Sequence, residues 1–350
     1  MRLLFAAILC GTVFGTTFGQ DNAGTACDSP FALFAEYNPE NETTTIQCLD
    51  LAGQVDTLLT NAGAGFLSPN GEYIVYTITN SRGPSLFDYD LSLYVYDITT
   101  NTLNQLRDRD GHITANWITP YQLIVSVWEN RITTYAAFRP DYRYLYDVQS
   151  DEIVELEWPI GDGSRVVGYW SAEDSFLFAN YSSGLSQITI DGMLTPIPLP
   201  VAVYDSDFVL SANSDFVAYR TKCRDDNVVA NCLTIAELGT GVAETITAFS
   251  ETYQTLGNFV FSPTGRFIAV SLQRSNALGI YDLERKEVAF EVSGTKINGF
   301  GWAHNEDRLL VAIADSTSDD ANMSFIYGVD PGSGDMELVY QQSVWLVGFF

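Results

Sequence analysis

Apolar and polar residues alternate in short runs along this chain, and each run ends at a cluster of turn-forming residues. Strict alternation sends every second side chain to the same face, the mark of a strand with one side buried. The stretch FVFSPTGRFIAVSL at 259–272 holds two such runs around Ser262-Pro263-Thr264-Gly265, and GFLSPNGEYIVYTI at 65–78 repeats it. Proline presets φ at the second turn position and glycine accepts the backbone that closes the turn, so both phrases read strand, tight turn, strand. A second hairpin follows each copy, LSLYVYDITTNTLNQL from 91 and ALGIYDLERKEVAFEV from 277. The repeating unit is four antiparallel strands.

Weaker copies fill the rest of the chain. Second hairpins recur at TIQCLDLAGQVDTLL from 45, YLYDVQSDEIVEL from 144, QITIDGMLTPIPL from 187, LTIAELGTGVAETI from 233 and FIYGVDPGSGDMELV from 325. First hairpins precede most of them, at ANWITPYQLIVSVW from 115, GYWSAEDSFLFANY from 168, DFVLSANSDFVAYR from 207 and GFGWAHNEDRLLVAI from 299. About seven copies spaced by roughly 35 to 50 residues match the period of propeller blades. The first copy lacks its innermost strand, whereas SVWLVGFF at 343–350 reads as an innermost strand without a blade. Sharing one blade between the two ends closes the ring and removes its free sheet edge. The expected fold is all-β: a single closed β-propeller of about seven four-stranded blades over 20–350, one blade shared between the N- and C-termini.

The Ser-Pro-x-Gly turn leads into a polar residue and an apolar strand at Ser68-Pro69-Asn70-Gly71-Glu72 and at Ser262-Pro263-Thr264-Gly265-Arg266. With it come Leu-Tyr-x-Tyr-Asp at Leu93–Asp97 and Gly-Ile-Tyr-Asp at Gly279–Asp282. Together these resemble the WD-repeat-like propeller repeats of TolB-type proteins, across the mature chain and most strongly in these two copies. The resemblance implies partner binding or scaffolding, although related repeats also accompany some peptidases. Most repeats of that family place Asp where Asn70 and Thr264 stand here.

Composition adds an address. MRLLFAAILCGTVFGTTFGQ combines Arg2, an apolar run and small residues before a polar stretch, as a secretory signal peptide over 1–19 does. No other apolar run approaches the length of a membrane span, so the mature protein is expected in the periplasm or outside the cell, as a monomer. Cys10 falls in the leader; Cys27, Cys48, Cys223 and Cys232 remain. Four cysteines in an exported chain allow three pairings, and their positions favour two local disulfides, each across one hairpin. With 44 Asp and Glu against 17 Lys and Arg, the net charge is −27. Such a field repels nucleic acid and anionic membrane surfaces.

Catalytic constellations are missing from the pattern. The two histidines, His112 and His304, are far apart, and neither a G-x-S-x-G elbow nor a glycine-rich phosphate loop occurs. Carboxylates remain, and Asp315, Asp319 and Asp320 are weak candidates for Ca²⁺ ligands. The better candidate is a face. In a four-stranded blade the connection between the second and third strands opens on the same side as the connection between blades. Several of these segments are long here, at 80–90, 129–141, 223–232 and 315–324, whereas the opposite turns are short. Arg82, Phe87, Tyr89, Arg131, Tyr135, Phe138 and Arg139 give that face the aromatic and arginine mixture of binding hot spots. Packing of the same side chains onto their own blades is the competing reading. The function expected is a non-enzymatic binding or scaffold module for a protein or carbohydrate partner, without a cofactor. A Ca²⁺-dependent hydrolase or lyase using carboxylates at the central channel is the alternative. Asn41, Asn180 and Asn322 each begin an N-x-S/T acceptor.

Overall fold

The computed structural model describes residues 32–349 except 39–42, 51–53, 61–64, 83–88, 109–111, 129–141, 159–164, 181–183, 200–202, 226–227, 248–255, 273–275, 294–295, 304–306 and 316–322. The expected leader and Cys27 lie outside the described residues. Every copy of the repeat forms antiparallel sheet. Blade 1 holds β1 (Ala32–Asn38), β2 (Thr43–Leu49) and β3 (Val55–Thr60). Blade 2 holds β4 (Gly65–Leu67), β5 (Tyr73–Arg82), β6 (Tyr89–Asp97) and β7 (Thr102–Asp108). Blade 3 comprises β8 (His112–Trp117), β9 (Gln122–Trp128), β10 (Tyr142–Asp147) and β11 (Glu152–Glu155). Blade 4 comprises β12 (Arg165–Trp170), β13 (Ser175–Asn180), β14 (Gly184–Ile188) and β15 (Leu194–Pro196). In blade 5 these are β16 (Val203–Leu210), β17 (Phe216–Asp225), β18 (Val228–Glu237) and β19 (Ala243–Ile246). Blade 6 runs β20 (Leu256–Phe261), β21 (Phe267–Leu272), β22 (Ala277–Asp282) and β23 (Glu287–Val292). Blade 7 runs β24 (Ile297–Trp302), β25 (Leu309–Ala314), β26 (Met323–Val329) and β27 (Met336–Phe349).

The last strand closes the ring. Its first residues pair with β26, Met336 opposite Val329 and Tyr340 opposite Ile326. Its last residues pair antiparallel with β1, Phe349 opposite Phe34, Gly348 opposite Ala35 and Leu346 opposite Glu36. The outer strand of blade 7 and the missing inner strand of blade 1 are thus one continuous strand of 14 residues, which joins both blades into one seven-stranded sheet. The sequence pattern shows two separate pieces there; the pairing shows one.

Burial follows the alternation. Each blade sends one set of alternate apolar side chains to each neighbour, so the core is seven seams rather than one centre. Ala32, Phe34 and Leu49 of blade 1 meet Ala303, Leu310, Ala312 and Ile326 of blade 7. On its other side blade 1 gives Leu33, Ile46 and Cys48 to Ile74, Tyr76 and Tyr96 of blade 2. The remaining seams run blade 2 to 3, 3 to 4, 4 to 5, 5 to 6 and 6 to 7 without a break. At about 25 cal/mol per Å² of apolar area buried, this continuous packing dominates the stability of the ring. Directed bonds pin adjacent blades: the Trp117 indole donates to the Phe66 carbonyl at 2.9 Å, and the Trp302 indole to that of Val260 at 3.1 Å. No helix among the described residues is long and apolar enough to cross a membrane.

Candidate binding face

The two ends of the ring differ in what their turns do. At one end lie the short turns between first and second strands and between third and fourth strands. In blade 6 the Ser262 carbonyl accepts from Gly265 N at 2.9 Å, and Ser262 Oγ accepts from Phe267 N at 3.1 Å. Gly265, at φ 75°, holds the left-handed conformation that closes the turn. Blade 2 builds the same turn on Ser68, whose Oγ accepts from Tyr73 N at 2.9 Å. Blade 5 builds it a third time from Ser211-Ala212-Asn213-Ser214, with neither proline nor glycine: Ser211 Oγ accepts from Phe216 N at 3.0 Å and Ser214 takes φ 61°. Asn70 and Asn213 accept a bond from the serine hydroxyl at 2.7 Å in each case. Where the resemblance leads one to expect Asp, Asn and Thr do the same local work.

The other short turns, between third and fourth strands, consume acids. Asp147 Oδ1 accepts from Gln149 N and Ser150 N, both at 3.0 Å, and Asp330 Oδ1 from Gly332 N and Ser333 N, both at 2.8 Å. Asp282 accepts from Glu284 N at 2.9 Å and Arg285 N at 3.0 Å, and also takes the Arg266 guanidinium at 2.8 Å. Burial alone pushes the Asp282 carboxyl up, but the Arg266 and backbone donors outweigh it and hold the group below the usual carboxylate range. Hydrogen bonds from Ser333 N first hold Asp330 low in the same way. Tyrosines reach back to these turns. Tyr146 donates to Asp151 at 2.9 Å, and in the turn between the first and second strands of blade 4 Tyr169 donates to Asp174. Burial first, then the bond to Asp174, pushes the Tyr169 phenol up to about 12. Asp147, Asp282 and Asp330 are therefore parts of their turns, each accepting two backbone N–H groups.

The opposite end carries the long connections. Two of them prove shorter than their composition reads, because pairing continues into them. β5 and β17 each run to ten residues. Pairing reaches Arg82 opposite Tyr89 in blade 2 and Asp225 opposite Val228 in blade 5. The segment 223–232 is therefore hairpin rather than loop. Cys223 and Cys232 form a disulfide with Cα atoms 5.8 Å apart, but they are diagonal neighbours, not opposite one another: Cys223 faces Ala230 and Cys232 faces Thr221. This is the local disulfide across one hairpin that the cysteine positions lead one to expect. Cys48 is also disulfide-bonded, and Cys27, its expected partner, lies outside the described residues.

Of the candidate binding residues, the backbone places Arg82 and Tyr89 as partners at the tip of the blade 2 hairpin. Phe87, Arg131, Tyr135, Phe138 and Arg139 lie outside the described residues. So do Asp319 and Asp320; Asp315 is buried, with its backbone N donating to the Met323 carbonyl at 2.8 Å. Among the described residues no group of three or more His, Cys, Asp or Glu is arranged to hold a metal ion. Residue-by-residue reading of the chain missed Arg220, whose guanidinium donates to the Gly257 carbonyl at 2.7 Å and lies 5.5 Å over the Phe259 ring. Its place at positions 220, 222 and 224 of an alternating basic run was the available signal.

No protein-family model matches the chain, and no curated protein sequence does. Solved structures share its fold. The β-propeller domain of the trilobed protease from Pyrococcus furiosus, described as revealing an open velcro topology, is 14% identical, with a TM-score of 0.62 over 88% of this chain and 91% of that one. TolB from Acinetobacter baumannii is also 14% identical, with a TM-score of 0.51 over 92% of this chain and 67% of its own. The acylaminoacyl peptidase of Pyrococcus horikoshii reaches 0.62 at 14% identity over 91% of this chain, which spans 53% of that enzyme. At such identities the likeness is one of fold. The chain is a seven-bladed β-propeller, and TolB is among its structural neighbours.

Proposed function

We propose that this propeller is an exported, non-enzymatic scaffold that binds a protein or glycan partner on the face bearing the long connections. One observation carries the reading: the blade 2 and blade 5 hairpins extend to ten-residue strands toward that face, while Asp147, Asp282 and Asp330 of the other face are engaged in their own turns. Rigid seams with elaborated segments at one end are the usual arrangement for recognition. The disulfide in the blade 5 hairpin agrees with an oxidising compartment. The test replaces Arg82, Tyr89, Arg131 and Phe138 with Ala and compares what the variant and the parent retain from the host's envelope and medium. Loss of a specific retained species with an unchanged melting temperature is the expected result. An identical retention profile would remove this face from consideration.

A further inference from the structure

Blades 2 and 6 build the same corner at the short-turn end, with one difference. Both carry the Ser-Pro-x-Gly turn, and the two residues after its glycine are Glu72-Tyr73 in blade 2 and Arg266-Phe267 in blade 6. Tyr73 pairs with Asp97 and Phe267 with Asp282, the last residue of the third strand in each case. The next blade adds a tryptophan to both: Trp117 lies 6.2 Å from the Tyr73 ring and Trp302 6.4 Å from that of Phe267. In blade 6 the chain fills this corner itself. The Arg266 guanidinium stands 4.7 Å over the Phe267 ring and donates to Asp282 Oδ2 from Nη2 at 2.8 Å and from Nε at 3.3 Å. Blade 3 engages the matching carboxylate oxygen with an amide, Gln122 Nε2 donating to Asp147 Oδ2 at 3.2 Å. In blade 2 Asp97 Oδ1 accepts from Thr100 N at 2.9 Å, but no donor reaches Asp97 Oδ2 among the described residues. The place of Arg266 is held there by a further acid, exposed Glu72, which accepts from the Asn70 amide at 2.7 Å. Burial first, then the nearness of Asp97, Glu72, Tyr121 and Asp147, pushes the Tyr73 phenol up, so these groups converge on one ring.

We propose that the corner between blades 2 and 3 at the short-turn end takes an arginine side chain of a partner protein, in the place that Arg266 fills in blade 6. A guanidinium stacks flat on an aromatic ring while its edge donates to a carboxylate, as Arg266 does. Tyr73 offers the ring, Asp97 Oδ2 the acceptor and Glu72 a second negative charge beside them. Two carboxylates without a cation of their own attract a positive group and strengthen the bond it makes. Tyr121, whose ring meets Tyr73 edge-on at 6.3 Å, and half-buried Trp117 widen the aromatic surface. Phe66, 51% exposed, and exposed Pro69 continue it in blade 2. A small cation leaves those two uncovered, whereas the chain that carries an arginine covers them. Arg set against Trp and Tyr is the pairing that dominates protein interfaces. This corner is at the opposite end of the ring from the long connections and stands independently of the binding proposed there.

The experiment titrates the nitrogen-15-labelled protein with three probes and follows the Trp117 indole N–H resonance. The probes are a peptide with one Arg among Gly and Ser, the same peptide with citrulline in place of Arg, and choline. The Arg peptide is expected to give a saturable shift. Citrulline keeps the planar shape but not the charge and should bind about tenfold more weakly or less. Choline, a cation without N–H donors, should also bind more weakly, because it makes no bond to Asp97. Glu72→Arg rebuilds the blade 6 corner from within the chain and is expected to abolish the response while the melting temperature holds or rises. Glu173→Arg makes the same change of charge in blade 4 and should leave the affinity within about twofold. Should Glu72→Arg fail to fold, Asp97→Asn keeps an oxygen for Thr100 N, removes the charge and should weaken binding about tenfold. The inference is overturned if the Arg peptide gives no saturable shift, if the citrulline peptide binds equally, or if the response survives Glu72→Arg. Tighter binding of choline overturns it in favour of a small amine, and an equal loss in Glu173→Arg overturns it in favour of net charge alone.

Discussion

A single serine hydroxyl organises the first turn in blades 2, 5 and 6. It accepts the backbone N–H five residues on, where the second strand begins, and Ser68, Ser211 and Ser262 are all almost completely buried. Ser262→Ala leaves the Phe267 N–H without that acceptor in a buried place, at a cost of about 1–3 kcal/mol. Thr264→Ala at the exposed position of the same turn should cost less, and urea midpoints of the two variants check the order. Asp282 tests the electrostatics. Its carboxyl ionises more readily in the fold than in the unfolded chain. Its stabilisation is therefore complete above the ordinary carboxylate range and is lost as pH falls through the lowered pKa, below about 4. Asp282→Asn should destabilise by on the order of 2 kcal/mol at pH 7, and the gap to the parent should close as melting is followed toward pH 2. A gap that stays constant with pH would mean that the Arg266 pair contributes nothing through charge. These roles were half visible in the chain. The Tyr-Asp marker located the turns, but its capping bonds depend on three-dimensional geometry.

At the scale of elements, what was legible and what was not follow from one cause. Alternation and turn chemistry mark strands whose faces are buried in seams, and all the hairpins read in this way are present. The tips of the blade 2 and blade 5 hairpins lie beyond the seams, and their composition, SRGPSLFDY and CRDDNVVANC, reads as loop. Strand structure there comes from continued pairing and, in blade 5, from the disulfide, which alternation does not encode. Register with the flanking strands stops at Thr221 on β17 and Leu233 on β18 among the described residues. A two-stranded ribbon is marginal on its own, so the Cys223–Cys232 bond should matter locally. Cys223→Ser with Cys232→Ser is expected to speed hydrogen exchange over 222–231 while β21 and β25, inside their seams, keep their protection. A uniform rise across the ring would show that the hairpin is not a separate unit. The binding face was located by loop length alone.

For the whole molecule, closure depends on the pairing of Leu346, Gly348 and Phe349 with β1. Removing 343–350 leaves blade 1 with three strands and gives β1 an open edge at the seam where Ala32, Phe34 and Leu49 meet blade 7. An interior seam loses packing on both sides once its blade is incomplete, so the loss should exceed that of any single substitution above. The truncated chain is expected to melt at a markedly lower temperature and to self-associate through its unpaired edge. Because the missing piece is an extended strand, it can be returned without the covalent link, and a synthetic SVWLVGFF peptide should add back by strand pairing. Binding to the native ring alone raises stability by mass action, so melting temperature should climb with peptide concentration and remain flat with a scrambled peptide. A truncated chain that melts like the parent would mean that the seams hold the circle without its terminal strand; one that melts low and ignores the peptide would mean that closure requires the covalent connection to the part of the same strand that pairs with β26 from Met336 to Tyr340.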